Sequence, residues 1–203
     1  MDKAKAVQKS MSPLILVVGC ARSGTSIVAG LLHNHGVWGG RYRPTNGGNP
    51  RGYFENRRIA ALLRHWNETG EMPHYAFKSH IKNILRKEKY PGGPWFVKYG
   101  LDLGWSMWKK FNPCWLLVRR AWNDVIRSQE RIFGTARPYS EFEEINRTMD
   151  FIRESNGGVD IFPDQLVSGD YSILEKFLKT YANIHFNESI ANRFTDKGLW
   201  HAT

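Results

Sequence analysis

Gly19 and Gly24 bracket four residues, Cys20, Ala21, Arg22 and Ser23, and Thr25 and Ser26 follow directly. Glycines at that spacing, behind the apolar run Leu14 to Val18, read as a loop that turns a strand into a helix and aims backbone N–H groups at an anion. The chemistry open to this set is the holding of a phosphate-type group. The N–H groups of Ser23, Gly24, Thr25 and Ser26 would surround it, and the hydroxyls of Thr25 and Ser26 would add donors. Gly24 would let the backbone approach closely. A loop that serves nucleoside triphosphate hydrolysis carries Lys after its second glycine. Thr25 stands there instead, and the cation is Arg22, upstream of the glycine.

A second set sits at the end of "CWLLVRR", an apolar strand-like run that closes on Arg119 and Arg120. A magnesium-dependent phosphoryl-transfer site calls for Asp at such a strand end. Two guanidinium groups would repel the metal and attract a phosphate, so no metal site is expected. Ser128 follows on the next helical segment, and both Arg119 and Arg120 stand as candidate partners for it. Glu55 lies behind the glycine-rich loop of residues 39–53 and leads a helix, where a carboxylate could serve as a base. Lys98 lies in the strand-like "WFVKYG". His33 and His35 fall at the end of the first helix, roughly 15 Å from the loop. His74 and His80 have no anchoring motif.

Strand-like and helical segments alternate along the chain. Leu14 to Val18, Trp95 to Gly100 and Cys114 to Arg120 read as strands, and "DQLVSGD" as a further one. Helical spacing marks 26–35, 57–67, 78–89 and 122–133, with a short helix in "GWSMWKKF" and a last one over 187–194. Ser140 with Glu143 and Ser172 with Glu175 match the capping-box pattern, which would open helices at 140–154 and 172–181. The pattern predicts one α/β domain over residues 1–203, a three-layer fold with a central parallel sheet flanked by helices, like that of the P-loop nucleotidases. Residues 1–12 are expected to form a flexible tail.

The formal net charge of +10 calls for an anionic partner. The 78–89 segment, with Lys78, Lys82, Arg86, Lys87 and Lys89, offers either a solvated helix face or a basic wall over such a partner. With 41% hydrophobic residues, a disordered chain is excluded. No apolar run approaches the roughly 20 residues of a membrane span. The run before Gly19 is too short for a signal core, and Cys20 and Cys114 form no CxxC pair. A cytoplasmic protein is expected, acting on neither membrane nor nucleic acid.

"GCARSGTS" resembles the 5′-phosphosulfate-binding loop of the sulfotransferases that use 3′-phosphoadenosine 5′-phosphosulfate (PAPS). "RAWNDVIRS" is similar to their second motif through Arg120, Asp124 and Ser128, with Trp122 where the family has Pro. "WFVKYG" resembles a third segment through Lys98 alone. The likeness runs from Leu14 to Phe133 and is closest to soluble bacterial or phage-type members. It implies that Arg22, Ser23, Gly24, Thr25 and Ser26 hold the phosphosulfate, while Arg120 and Ser128 hold the 3′-phosphate. It also implies a general base in Glu55, with Arg22 and Lys98 stabilising the transferring group. The acceptor would be a hydroxyl or amine of a small molecule or glycan. Trp200 is a candidate to stack on the adenine. Two rivals keep the same residues. One is a nucleotide or small-molecule kinase with a degenerate loop, and the other is a non-catalytic anion or nucleic-acid binding module.

Overall fold

A computed structural model describes residues 12–45, 49–70, 74–101 and 104–195. The expected tail, apart from Ser12, and Trp200 lie outside these residues. Four parallel strands form one sheet in the order β2-β1-β3-β4: β1 (Leu14–Gly19), β2 (Trp95–Gly100), β3 (Cys114–Val118) and β4 (Val159–Ile161). Every residue of β1 is buried. Continuous burial is what a central parallel strand requires, since helices cover both faces, and it explains the unbroken apolar run.

Alternate residues of β1 feed two separate cores. Leu14, Leu16 and Val18 pack with α2 (Arg57–Thr69), α3 (His74–Lys87), α5 (Trp122–Phe133) and α6 (Tyr139–Asn156). Ile15 and Val17 pack with α1 (Thr25–Asn34), α7 (Pro163–Ser168), α8 (Ser172–Phe177) and α9 (Glu188–Phe194). The protein is therefore a three-layer α/β fold. The short α4 (Trp105–Trp108) continues as a 3₁₀ turn over Lys109–Phe111. It buries Met107 and Trp108 in the first core.

Three local expectations are corrected. "DQLVSGD" is not a strand but lies in and just beyond α7, and β4 precedes it. Pro163 opens that helix because its missing N–H costs nothing in a first turn. The three residues of β4 include Asp160, so they make no apolar run. Ser140 does not cap α6, which begins at Tyr139 behind Pro138. Ser172 is likewise the first residue of α8. Its N–H and hydroxyl both donate to Asp170 Oδ1, at 3.1 and 2.7 Å, so Asp170 organises that turn.

Gly30 fixes how α1 meets α9. A β-carbon there would overlap the rings of Phe194 and Phe54. Gly30→Ala improves helix propensity, yet overpacking of this kind costs about 1–3 kcal/mol. The expected outcome is a melting temperature lowered by about 2–4 °C for each kcal/mol. A higher melting temperature would show that propensity outweighs the ring contact.

Candidate functional site

The glycine loop leaves the carboxyl end of β1 on one face of the sheet, through α1. The chain leaves β3, its neighbour, on the other face, through α5. Adjacent strands whose connections diverge in this way open a crevice beyond their carboxyl ends, the general ligand position of open α/β sheets.

The loop is held open by unusual backbone. Arg22 has φ 71° and Gly24 φ 97°. A non-glycine residue in the left-handed region costs energy that the surroundings must offset. Gly19 admits no side chain, since a β-carbon would lie 2.7 Å from both the Val118 carbonyl and Ser23 Oγ. The Ser23 N–H donates to the Cys20 carbonyl at 3.1 Å, and its side chain is buried beneath the loop. Ser23 thus shapes the turn, and its N–H is already engaged within the loop. Gly24, Thr25 and Ser26 form the uncapped first turn of α1 and line a cavity of about 400 Å³.

The two arginines that end β3 separate. Arg119 donates to Asp160 Oδ1 (2.5 Å), Asp150 Oδ1 (2.7 Å) and Asn146 Oδ1 (3.2 Å), tying β3 to β4 and α6. Its role is structural, and it does not line the cavity. Arg120 turns the other way and donates from Nη1 to the Arg22 carbonyl at 3.2 Å. Asp124 pairs with Arg127 at 2.5 Å. Arg22 Nε donates to Ser128 Oγ at 3.1 Å. The residues matched from sequence on opposite sides of the crevice are thus in direct contact.

Gln129, fully buried, is a site residue that motif reading passes over. Its Nε2 donates to the Ala21 carbonyl at 2.9 Å, and its Oε1 accepts from Arg137 N–H at 2.9 Å. It pins the glycine loop to α5. The available signal is its position one helical turn after Val125, on the apolar face of α5, where glutamine is out of place.

Glu55 and Lys98 form the other half of the cavity. Lys98 Nζ donates to Glu55 Oε1 at 2.9 Å, and Arg43 approaches Glu55 Oε2 at 3.3 Å. Lys98 is 7% exposed, and its ammonium lies over the Tyr53 ring. Burial lowers its pKa, while Glu55 pulls it back up; Arg22 and Arg43 lower it further. Burial pushes Glu55 upward, but Lys98 and Arg43 outweigh it and hold the carboxyl below its ordinary value. Burial also lowers Arg120, with Asp164 and Asp124 opposing. Glu55 precedes Asn56, whose Oδ1 caps α2 by accepting from Arg58 and Ile59 N–H at 3.0 and 3.1 Å. The carboxylate therefore lies outside the helix, and helix electrostatics alone do not account for it.

Among the described lining residues, Arg22, Arg51, Lys98, Arg120 and Arg131 supply positive charge, and Glu55 is the carboxylate. His33 contacts the Tyr42 hydroxyl and His35 the Leu31 carbonyl; neither lines the cavity. His80 and the basic side chains of α3 face elsewhere, so α3 is not a wall over this site. The His74 side chain lies outside the description. No disulfide joins Cys20 and Cys114. Among the described residues no three or more His, Cys, Asp or Glu gather as a metal-binding group, and no helix is long and apolar enough to cross a membrane.

No protein-family model matches the chain, and no curated protein matches it. Fold and site define it as a three-layer α/β protein with a cation-lined cavity above a glycine loop.

The lowered pKa of Glu55 gives a pH signature. The folded state binds this proton less tightly than the unfolded chain, so the stabilisation is complete above the ordinary value of 4.5 and is lost as pH falls through the lower folded value. Glu55→Gln leaves Lys98 buried without its counter-charge, which costs on the order of 3 kcal/mol near neutral pH. Denaturant melts should show that gap narrowing below pH 4.5. A constant gap across the acid range would show that the carboxylate charge contributes nothing.

Proposed function

We propose that the protein is a PAPS-dependent sulfotransferase, moving a sulfuryl group to a hydroxyl or amine and releasing 3′-phosphoadenosine 5′-phosphate. The observation that carries this reading is the contact of Arg22 with Ser128 and Arg120. It joins two motifs about a hundred residues apart into one cationic cluster, across the cavity from Glu55 and Lys98.

The residues suit a nucleotide with anions at both ends. The first turn of α1 offers N–H groups and the hydroxyls of Thr25 and Ser26 to a 5′-phosphosulfate. Arg120 and Ser128 suit a 3′-phosphate, and Arg22 lies between the two groups. In the proposed reaction Glu55 takes the proton of the acceptor hydroxyl. The acceptor oxygen bonds to sulfur, the bond from sulfur to the bridging oxygen breaks, and its electron pair stays on the departing phosphate. Loop N–H groups and Arg22 stabilise that charge, and Lys98 donates to the sulfuryl oxygens.

The ion pair gives this scheme its timing. As charge on the sulfuryl oxygens draws Lys98, Glu55 loses part of its counter-charge. Its proton affinity then rises in the step in which it must accept a proton.

Thermal shifts test the reading. 3′-Phosphoadenosine 5′-phosphate at 100 times its dissociation constant should stabilise the fold by about 2.7 kcal/mol. ATP with Mg²⁺ should give a much smaller shift at equal concentration. The reverse order would favour the kinase reading and remove this one. Arg120→Ala should weaken the bisphosphate by about 10- to 100-fold, but adenosine 5′-phosphosulfate far less. Equal losses would reject the 3′-phosphate assignment. Glu55→Gln should still bind the bisphosphate while losing sulfuryl transfer, and retained turnover would eliminate Glu55 as the base.

A further inference from the structure

Residues 41–43 and 55–57 form a minimal antiparallel ribbon beside the cavity. Tyr42 is bridged to Asn56, Arg43 N–H donates to the Glu55 carbonyl at 3.1 Å, and Arg57 N–H donates to the Arg41 carbonyl at 2.9 Å. This register sets Arg43 opposite Glu55 and Arg41 opposite Arg57. The first pair is of opposite charge and closes as an ion pair at 3.3 Å. The second is two guanidinium groups, a combination that repels across a ribbon.

Among the described residues the carboxylate at this ribbon is Glu88, and it is already engaged by the Arg41 backbone N–H at 3.0 Å, Asn56 Nδ2 at 2.9 Å and Arg58 at 3.6 Å rather than by either facing guanidinium. Arg41 and Arg57 are exposed, and among the described residues neither guanidinium has a carboxylate partner. Arg57 and Arg58 also open α2, where the helix field opposes cations, and no acid stands in that first turn. Arg58 has Glu88 at 3.6 Å. A carboxylate at 57 would suit both the ribbon and the first turn of α2 better. Stability therefore does not explain these two arginines, whereas an anion held between them would.

We propose that Arg41, Arg43 and Arg57 form an anion subsite beside Glu55, and that the acceptor is an acidic saccharide. Its own carboxylate or sulfate docks on these arginines while a ring hydroxyl reaches Glu55. This rests on the sulfuryl-transfer reading of the cavity. Guanidinium forks match planar carboxylates and sulfate oxygens. A saccharide presents an anion and several hydroxyls on one rigid ring, and the exposed ribbon lets further sugar units run past the cavity mouth. Arg43 links the subsite to the chemistry. An anion that draws Arg43 from Glu55 Oε2 removes one of the two charges holding that carboxyl low.

Matched glycosides test the subsite. With the protein saturated with 3′-phosphoadenosine 5′-phosphate, methyl β-glucuronide and methyl β-glucoside are titrated by NMR, and the titration is repeated without nucleotide. The glucuronide should bind at least tenfold more tightly, with that advantage shrinking as salt rises. Arg41→Ala and Arg57→Ala should each raise its dissociation constant about tenfold while keeping or raising the melting temperature. Equal affinity for the two glycosides, no binding of the glucuronide, or an advantage that survives both substitutions would overturn the proposal. These outcomes are separate from failure of the donor reading, in which the bisphosphate does not bind. A subsite that binds glucuronide without nucleotide would survive that failure, but its assignment as an acceptor site would not.

Discussion

The hydrogen bond from Arg22 Nε to Ser128 Oγ is the contact on which the cavity depends. It joins the loop after β1 to the helix after β3, and these leave the sheet on opposite faces. Side chains from the two sides meet only because β1 and β3 are adjacent, in a register that aligns Gly19 with Val118. Gln129 repeats the connection one residue later through the Ala21 carbonyl, and Arg120 does so through the Arg22 carbonyl. With three ties from one side, the left-handed backbone of Arg22 can persist, and the first turn of α1 stays aimed into the crevice.

Charge is distributed with the same economy. Arg119 and Arg120 are neighbours in sequence, yet one is neutralised by Asp160 and Asp150 while the other faces the cavity. Their opposite directions follow from strand alternation continuing past Val118. Among the described residues that line the cavity, the result is a set of cations with one carboxylate, Glu55, set against the deeply buried Lys98. Such a site is electrostatically costly when empty, and an anion with several charges would lower that cost.

Much of this was legible in the sequence. The apolar runs of β1 and β3 and the strand-loop-helix turn marked by the glycine spacing are local patterns, and each is found where the pattern placed it. The grouping of Lys98 with Glu55 was expected only through likeness to other proteins, and their direct ion pair was not foreseen, because no local period relates a strand to a loop 43 residues away. Gln129 was missed because its partners are backbone carbonyl and N–H groups, which leave no mark in sequence. The capping boxes failed for a related reason. Ser140 and Ser172 have the right neighbours, but Pro138 and Asp170 fix those turns first. The strand assigned to 164–170 failed because Pro163 already commits that segment to helix.

The placement of Glu55 depends on a second carboxylate, one whose side chain is buried. Glu88, at the end of α3, accepts from Asn56 Nδ2 at 2.9 Å and from Arg41 N–H at 3.0 Å. Asn56 uses its oxygen to cap α2 and its nitrogen to reach Glu88, so one side chain fixes both the helix start and the ribbon. Gly40, at φ 77°, has no room for a β-carbon beside these two groups. The neighbour of Asn56 is thereby held with its carboxylate towards Lys98 rather than in the helix. In the proposed reaction this anchoring matters more than the intrinsic basicity of the group. A carboxylate held low by two cations is a weak base, and it is useful only if the cations move in step with the transferring charge while the carboxylate itself stays in place.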